Sequence, residues 1–571
     1  MTDNRALSDR IDALIAAFDS DGYSVNTAAD ILEHGDRVAI RATHKAATIG
    51  ATPNRKKVYY LEGDARTMGY LLGRLAVDDV ERMCQGFLDN APFEFVGVSD
   101  PLIRGLLAPI LLEIAYALAR ASLRDIPDQY KQELLGLLDG CREAKPRTSV
   151  NLERLWLLNI GIDALLAFAY TGQIPIGPPR ARALSFPIRP EHLRIPIMCN
   201  GFSSAGTNPL TNDQYHFMGR DFMFVTAGVF QDTASMIIRK PDQGLPTVSV
   251  AAPGMLGTIA GLNANGVGVG VDMSPGINCS TFRPGINSVL LTRHSIEHGA
   301  TVEAAVDVMA RMRRGVTWDY VLADGQSGRS CIVEAGMTAT KFDALKRVDP
   351  WVLAALRGSD PGFDGRLQRL SAPYQNGVMV RWSDYAYPSD WADLNPALIE
   401  AYRQRNPSYA YQYDPADFLP GGYLNKSRGD RNCAGPYYFA PQREQLPGTV
   451  LVTNHYVIPE MRLYAMSDWV AGVAGEHFDD VQWRYDELSH RLVTVLDKGY
   501  MTYEEAKATI SFLAPPLATA GNSRVERATS DDSVIGGSVS LMDLRSKTIE
   551  THYGYYGDEW IKLSLPAYLG I

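Results

Sequence analysis

A proline-rich break over residues 174–196 separates two patterns of apolar residues, and this change constrains the fold more than any other feature of the sequence. Before the break, apolar residues recur with helical periodicity over 68–88, 102–122, 128–141 and 151–170. Prolines at this density disfavour regular structure and mark a linker. We therefore predict that residues 1–198 form a mainly helical segment ending in a Pro-rich linker, and that residues 199–571 form a strand-rich unit.

The strand-rich part contains clear hairpin signals. The run from Thr258 to Val271 includes an Asn265-Gly266 pair, which suits a two-residue type I′ turn, and a second hairpin is expected over Tyr320–Glu334. Glycines alternate after the first turn, so one face of that strand is nearly bare and allows another layer or a ligand to approach closely. Because the hairpins alternate with amphipathic helices, we expect an α+β fold of antiparallel sheets covered by helices.

The composition excludes several classes of function. At 571 residues the chain exceeds the roughly 250–300 residues of a single core, so more than one packed unit is expected. The net charge of −10 works against nucleic acid and anionic lipid as partners, because clustered Lys and Arg hold both. Charged residues interrupt the apolar stretches 102–122 and 155–173, which predicts buried helices and no membrane span. The first ten residues lack the apolar region of a signal peptide, which predicts a cytoplasmic protein.

The cysteines are scattered along the chain. None of the six forms a CxxC motif or a Cys/His cluster with metal-site spacing, so we predict no disulfide framework, no metal site and no cofactor. A lone cysteine is usually a buried core thiol, and that interpretation suits four of them: Cys84, Cys141, Cys279 and Cys331. Cys199 differs because it directly follows the Pro-rich break and begins the strand-rich part. Its residue type alone fits either a core thiol or a nucleophile.

Residues 345–447 have a composition of their own, rich in Tyr, Trp, Pro and Asp. Long loops of this kind serve either as lids over a binding site or as surface insertions. The aromatic content favours an insertion held to the surface by aromatic packing.

Several short phrases resemble, in the same order, the isopenicillin-N acyltransferase-like family (acyl-CoA:6-aminopenicillanic acid acyltransferase) of N-terminal nucleophile hydrolases. In the strand-rich part the phrases are Cys199-Asn-Gly-Phe-Ser-Ser, Gly219-Arg220-Asp221-Phe222, Gly261–Val269, Tyr320–Glu334 and Val452-Thr453-Asn454-His455. In the helical part they are Tyr60–Leu75, Glu133–Gly140 and Leu157–Asn159. The resemblance covers most of the chain apart from 345–447.

This resemblance implies a four-layer αββα sandwich and autocleavage of the bond between Met198 and Cys199. The Cys199 thiol would attack the Met198 carbonyl, and cleavage would free the α-amino group of Cys199. An α-amine has a reference pKa of about 7.7 to 8.0, so it can act as the general base for its own thiol near neutral pH. The zymogen would become two chains, 1–198 and 199–571, and the first is expected to stay bound.

The resemblance also implies roles for neighbouring residues. Asn454 matches the amide of an oxyanion hole. Arg220 matches an arginine that lies beside the nucleophile and favours the thiolate, although a surface strand arginine also fits. The family aspartate that holds the α-amine is replaced here by Met223, so either Asp221 reaches the amine from a shifted position or the amine has no carboxylate partner.

Further candidates lie in the first hairpin and among the histidines. Asn263 and Asp272 are predicted substrate-binding residues, with Met273 as the alternative to Asp272 in the other register. His216 and His455 are interpreted as strand residues that hydrogen-bond locally, because this mechanism needs no imidazole. The family's C-terminal arginine has no clear counterpart in residues 533–538.

The sequence therefore predicts an autoproteolytic cysteine hydrolase or acyltransferase that acts on a small acyl amide or an acyl-CoA thioester. Two alternatives stay open, a phospholipase B-like lipid amide or ester hydrolase and a non-catalytic binding protein on the same fold. A homo-oligomer of cleaved heterodimers is compatible with the autoproteolytic hypothesis.

Overall fold

The computed structural model describes most of the chain. The described residues are 2–48, 55–90, 101–171, 173–176, 182–185, 199–225, 229–276, 278–282, 284–338, 350–370, 376–388, 391, 393–397, 400, 404, 416, 446–464, 475–512, 535–554 and 560–570.

Helices and strands alternate along these residues. The α-helices are α1 (Thr2–Ser20), α2 (Ala65–Arg82), α3 (Pro101–Ser122), α4 (Asp128–Ala144), α5 (Leu152–Trp156), α6 (Ile162–Thr171), α7 (Val229–Thr233), α8 (Ser288–His298), α9 (Val302–Arg311), α10 (Pro350–Ser359), α11 (Phe363–Leu370), α12 (Pro459–Arg462), α13 (Gly475–Leu496), α14 (Tyr503–Ile510) and α15 (Leu565–Leu569). The strands are β1 (Tyr23–Ser24), β2 (Ile31–His34), β3 (Arg37–Thr48), β4 (Arg55–Gly63), β5 (Gln173–Ile176), β6 (Arg182–Ser185), β7 (Asn200–Thr207), β8 (Gln214–Val225), β9 (Ser235–Pro241), β10 (Thr247–Ala251), β11 (Ala260–Asn263), β12 (Val267–Met273), β13 (Trp318–Asp324), β14 (Ser330–Ala335), β15 (Val378–Trp382), β16 (Thr449–Val452), β17 (Ile535–Asp543), β18 (Thr548–Gly554) and β19 (Ile561–Ser564).

A large mixed sheet joins the two parts of the sequence. Its strand order within the described residues is β1-β3-β4-β9-β10-β11-β12-β13-β14-β15, with β2 paired to β3. The neighbours pair antiparallel except β4 and β9, which pair parallel from Lys57 opposite Ser235 to Gly63 opposite Pro241. The predicted helical segment therefore also supplies four strands to this sheet, which its apolar periodicity did not predict.

A smaller antiparallel sheet carries Cys199 at the start of one strand. Its order is β16-β7-β8-β17-β18-β19, and β7 pairs with β8 so that Asn200 lies opposite Asp221. Strands β12 and β13 of the large sheet pack against β7 and β8 of the small one. The two sheets thus meet beside Cys199.

The alternating glycines of β12 make this approach possible. A Cβ atom on Gly270 would lie 2.8 Å from Cδ of Arg220, and one on Gly268 would lie 3.0 Å from the sulfur of Met218. Real Cβ atoms do not come this close to neighbouring atoms, so only a bare strand face admits these two β8 side chains. The prediction that the glycines admit another layer is confirmed.

Two helices of the first segment also cross at glycines. A Cβ atom on Gly69 of α2 would lie 2.0 Å from the Glu133 carbonyl oxygen, and one on Gly136 of α4 would lie 2.0 Å from the Arg66 carbonyl oxygen. The helix backbones therefore touch directly. Helices α2 and α8 contact the large sheet, whereas α13 and α14 contact the small one.

Three local predictions need correction. The turn between β11 and β12 has three residues, 264–266, and only Gly266 has a positive φ, +86°, so it is not a type I′ turn. The side chain of Asn263 closes this turn by accepting from the main-chain nitrogens of Asn265 and Val267. The second hairpin, β13–β14, is confirmed.

The Pro-rich break and the aromatic segment are also more ordered than predicted. Strands β5 and β6 pair antiparallel inside the break, while 177–181 and 186–198 lie outside the described residues. Within 345–447, β15 belongs to the large sheet beside β14, so this part is not a surface insertion. Trp391 is buried in a cluster with Tyr456 and Ile458, and the described part of the segment thus supports the chain just after Asn454.

Among the helices that the structure describes, none is long and apolar enough to cross a membrane. The stretch 155–173 forms buried helical turns as far as Thr171, as predicted, whereas Ile110 in α3 is 56% exposed.

Candidate functional site

Cys199 lies immediately before β7 and has no exposed surface. The residue on its N-terminal side, Met198, lies outside the described residues. The other four described cysteines are buried as well, as predicted for core thiols, and Cys433 is not described. Burial therefore does not distinguish Cys199 from the other cysteines. Its polar contacts are the feature that can distinguish it.

Asn454 holds the main-chain nitrogen of Cys199. This nitrogen donates to Oδ1 of Asn454 at 2.9 Å, while Nδ2 of Asn454 donates to the Met273 carbonyl oxygen at 2.8 Å. The loop after β16 thereby connects the start of β7 to the end of β12. Asn454, the predicted oxyanion-hole residue, therefore accepts from Cys199 with its side-chain oxygen, and its side-chain N–H donates to a carbonyl oxygen of the large sheet.

Arg484 in α13 is a site residue that the sequence analysis did not find. Its Nη1 donates to the Cys199 carbonyl oxygen at 2.7 Å and to Oδ1 of Asn200 at 2.8 Å. Its Nη2 donates to Oδ1 of Asn454 at 3.0 Å. The side chain is completely buried, so a full positive charge lies beside Cys199. No local sequence signal connects Arg484 with Cys199, because 285 positions separate them.

Arg220 and Asp221 extend the cluster along β8. Arg220 is fully buried, so its interpretation as a surface arginine is wrong. Its Nη1 donates to the carbonyl oxygens of Asn200, at 3.2 Å, and of Asp221, and its Nη2 donates to that of Val271. Asp221 accepts from Nδ2 of Asn200 at 3.3 Å. Its carboxylate therefore contacts the residue next to Cys199, and its predicted contact with the α-amine stays a prediction.

Asp272 faces Arg220 from the large sheet. Its Oδ2 lies 3.4 Å from Nε of Arg220, an ion pair whose geometry does not make a hydrogen bond. Neither Asp272 oxygen has a hydrogen-bond partner among the described residues. Asp272 stands opposite Asp319, and Asp319 stands opposite Glu334, so three carboxyl groups form a row across β12, β13 and β14.

Burial sets the charge of these carboxyl groups. Loss of solvent raises the pKa of Asp221 to about 8 and that of Asp272 to about 7, and the nearby Arg220 only partly offsets this. Burial also raises the pKa of Asp319 well above its ordinary value, with Glu334 adding to the effect. The site therefore holds protons that ordinary aspartates would have lost at neutral pH.

The remaining predicted residues lie in structural positions. Asn263 donates to the carbonyl oxygens of Ile296 and Gly299 and closes the β11–β12 turn, so its predicted substrate contact stays a prediction. His216 in β8 hydrogen-bonds with Ser203 at 2.8 Å and with the Asp324 carbonyl oxygen at 2.9 Å, which confirms its local role. His455 lies beyond β16, not in it, and its Nδ1 is 3.0 Å from Oγ1 of Thr453.

This geometry supports covalent chemistry at Cys199. A buried thiol, a held main-chain nitrogen and an arginine on the adjacent carbonyl group share one small volume. Within the described part of the chain, no group of three or more His, Cys, Asp or Glu side chains could hold a metal ion.

Comparison with known proteins gives one distant relative. No protein-family model matches the chain. A protein of Archaeoglobus fulgidus described as uncharacterized is 26% identical over 509 residues, which is 89% of this chain and 65% of that protein. The chain thus spans slightly less than two thirds of the length of this relative.

Solved structures give weak similarities. A Caenorhabditis elegans N-acylethanolamine-hydrolyzing acid amidase ortholog aligns with 61% of this chain and 93% of its own, at 9% identity and a TM-score of 0.28. A mutant of the conjugated bile acid hydrolase of Clostridium perfringens aligns with 64% of this chain and 92% of its own, at 10% identity and a TM-score of 0.28. These TM-scores do not establish a shared fold, and the function proposed below does not depend on them.

Proposed function

We propose that the chain is an autoproteolytically activated cysteine N-terminal nucleophile hydrolase or acyltransferase that acts on amide or acyl-CoA thioester bonds. On this proposal the two packed sheets and their covering helices are the four-layer αββα sandwich of that class. The supporting observation is the hydrogen bond from the Cys199 main-chain nitrogen to Asn454. Every buried main-chain N–H needs an acceptor, but here the acceptor is a side-chain amide oxygen from a distant loop, which can hold a free amine at the same atom.

Activation begins with an N-to-S acyl shift. The Cys199 sulfur adds to the Met198 carbonyl carbon, the bond from that carbon to the Cys199 nitrogen breaks, and the nitrogen takes up a proton. Water then hydrolyses the thioester and leaves a Met198 carboxylate. The new amine keeps its place because Oδ1 of Asn454, which accepts from the amide before cleavage, can also accept from the amine after it.

Turnover then uses the amine as a base. The amine accepts the thiol proton, the sulfur attacks the substrate carbonyl carbon, and the leaving amine or CoA thiol takes that proton. The resulting acyl-enzyme passes its acyl group to water or to an amine acceptor. Arg484 and Arg220 supply positive charge that stabilises the thiolate.

Asn454 has a second proposed role as a donor to the oxyanion. Its Nδ2 is bonded to the Met273 carbonyl oxygen in the uncut chain, so this role requires that bond to open when substrate binds. Loss of an oxyanion donor costs roughly 3 to 4 kcal/mol in the transition state.

The first test is intact-mass analysis of the purified full-length chain. We expect two fragments, the second beginning at Cys199, and amide or thioester hydrolysis by the cleaved form. Cys199→Ala should give one uncut chain without turnover, because both steps need the sulfur. Cys331→Ala is the matched control, because Cys331 is an equally buried thiol in β14. This variant should be cut before Cys199 as the wild-type chain is.

An uncut wild-type chain without turnover would instead favour a non-catalytic binding protein. The observation that favours this alternative is Met223, which occupies the position where the resembling family carries its amine-holding aspartate.

A further inference from the structure

An apolar cavity lies between the two parts of the sequence. Its volume is about 40 Å³ and its exposed surface is entirely apolar. Met83, Phe87 and Leu158 line it from the first segment, and Phe222 and Trp318 line it from the strand-rich part. Asp163 and Asn287 also line it, but no polar atom contributes to its exposed surface. A cavity of this kind holds a few water-sized groups, but an apolar lining gives water no hydrogen-bond partners.

The cavity borders the Cys199 cluster on two sides. Asn200 pairs with Asp221 across β7 and β8, so the next residue pair in this register is Cys199 and Phe222. Trp318 pairs with Met273 across β12 and β13, and the Met273 carbonyl oxygen accepts from Asn454. Two residues of the cavity wall, Phe222 and Trp318, therefore lie next in register to the residues around the Cys199 sulfur.

The wall from the first segment has an unusual backbone. Met83–Phe87 and Leu157–Gly161 are both π-helical turns, and they contact each other. Single π-turns within helices are rare and occur often at functional sites. Asn159 of the second turn donates to the Gly254 carbonyl oxygen at 2.8 Å and accepts from the Leu256 nitrogen at 2.7 Å. These bonds fix the wall against the strand-rich part.

We propose that this cavity receives the end of a short aliphatic acyl group carried by Cys199, and that Leu158 and Met83 of the first segment limit its length. This proposal rests on the function proposed above and adds the substrate class. A polar acyl group would lose its hydration and find no partner in such a lining. Each methylene group that the cavity buries should raise kcat/KM about fourfold, until the chain reaches the wall.

The test is a panel of acyl p-nitroanilides from acetyl to octanoyl, assayed with the cleaved full-length protein. Wild type should show a maximum at a short chain. Leu158→Ala should move the maximum to longer chains and raise kcat/KM for the longer members at least tenfold relative to acetyl. Met83→Ala is a second variant with the same expected direction, which keeps the test valid if one variant fails to fold.

Leu157→Ala is the matched control, because Leu157 is buried in the same π-turn but does not line the cavity. Its chain-length profile should equal that of wild type. An unchanged profile in both wall variants, with turnover still dependent on Cys199, would overturn the acyl-cavity proposal and leave the proposed function standing. If wild type gives no Cys199-dependent turnover with any acyl substrate, both proposals fail.

Discussion

The molecule contains two fully buried clusters of charged side chains, and they are balanced differently. The first, which we call the interface cluster, consists of Glu133, Arg239, Arg293 and Glu297. The second, the nucleophile cluster, consists of Arg220, Asp221, Asp272 and Arg484, next to Cys199. The interface cluster joins the two parts of the sequence, and the nucleophile cluster joins the two sheets. The side chains of both are buried from solvent.

In the interface cluster each carboxylate pairs closely with an arginine. Arg293 contacts Glu133 at 2.8 Å and Glu297 at 2.6 Å, and Arg239 contacts Glu133 at 3.3 Å. Burial alone would lower the pKa of Arg293, but the two glutamates outweigh this and raise it well above its ordinary value. Arg293 therefore remains charged, and these pairs hold α4 to α8 and β9.

In the nucleophile cluster the carboxyl groups are poorly satisfied. Both Asp272 oxygens and Oδ1 of Asp221 lack hydrogen-bond partners among the described residues. Arg220 donates to main-chain oxygens, including that of Val271, and Arg484 donates to the Cys199 carbonyl oxygen and to two side-chain amide oxygens.

Both clusters contain buried polar atoms without a hydrogen-bond partner among the described residues, including Oε2 of Glu133 in the interface cluster. They differ in charge pairing, because an arginine nitrogen lies 2.6 to 2.8 Å from each interface carboxylate but 3.4 Å from Asp272. The comparison teaches that weak pairing of a buried carboxyl group, more than burial or charge, marks a candidate for a chemical task.

The largest expected effect is on the interface cluster. Glu133→Gln should lower the free energy of unfolding by about 3–5 kcal/mol, because it leaves two buried arginines with one carboxylate fewer. Urea unfolding measures this. The matched control is Glu143→Gln on the same helix, whose partly exposed pair with Arg74 should contribute about 1 kcal/mol or less. Equal losses in both variants would contradict a special role for the buried cluster.

A smaller effect is expected from Asp272 as pH changes. Because the folded-state pKa is about 7, above the ordinary 3.8, this group favours the fold fully below pH 4 and loses that contribution as pH rises towards 7. Asp272→Asn should remove up to about 1.4 kcal/mol per pH unit of this slope. Unfolding midpoints from pH 4.5 to 8 test the difference between variant and wild type.

The control for the pH experiment is Asp307→Asn. Asp307 is exposed and pairs with Arg311, so its loss should leave the slope of wild type nearly unchanged. A wild-type slope in the Asp272→Asn variant would mean that Asp272 is already ionised in the folded protein.

The smallest effect is expected for Asp319→Asn. Asp319 accepts a hydrogen bond from Ser274 and its pKa is raised well above the ordinary value, so at pH 7 an uncharged carboxyl group would be replaced by an uncharged amide. The free energy of unfolding should change by about 1 kcal/mol, the scale of one hydrogen bond. A loss as large as that of Glu133→Gln, in the same urea assay, would show that Asp319 is charged and stabilising.

Local sequence signals predicted the local parts of this structure. The periodicity of 128–141 predicts α4, which runs to Ala144, and the glycines of β12 predict the close layer that Arg220 occupies. Both depend on residues a few positions apart. Cys199 could be predicted as the nucleophile because its two signals, the Pro-rich break before it and the short phrase after it, are adjacent in the sequence.

Long-range features could not be predicted in this way. Arg484 lies 285 positions from Cys199 and approaches it only because α13 packs beside β16. The parallel pairing of β4 with β9 likewise joins strands whose sequences carry no signal for each other. The three-residue turn at Gly266 depends on the Asn263 side chain, which an Asn-Gly pair alone does not reveal.

The parallel pair β4–β9 has a consequence for the order of events in the life of the protein. If the bond before Cys199 is cut, one product keeps four of the described strands of the large sheet and the other keeps seven, and neither completes the sheet by itself. Reassembly after denaturation would then require two separate molecules to meet, at a rate set by their concentration, whereas the uncut chain needs only itself. On the proposed cleavage, the chain would fold as one molecule before the cut, and after denaturation each product would need the other to rebuild the sheet.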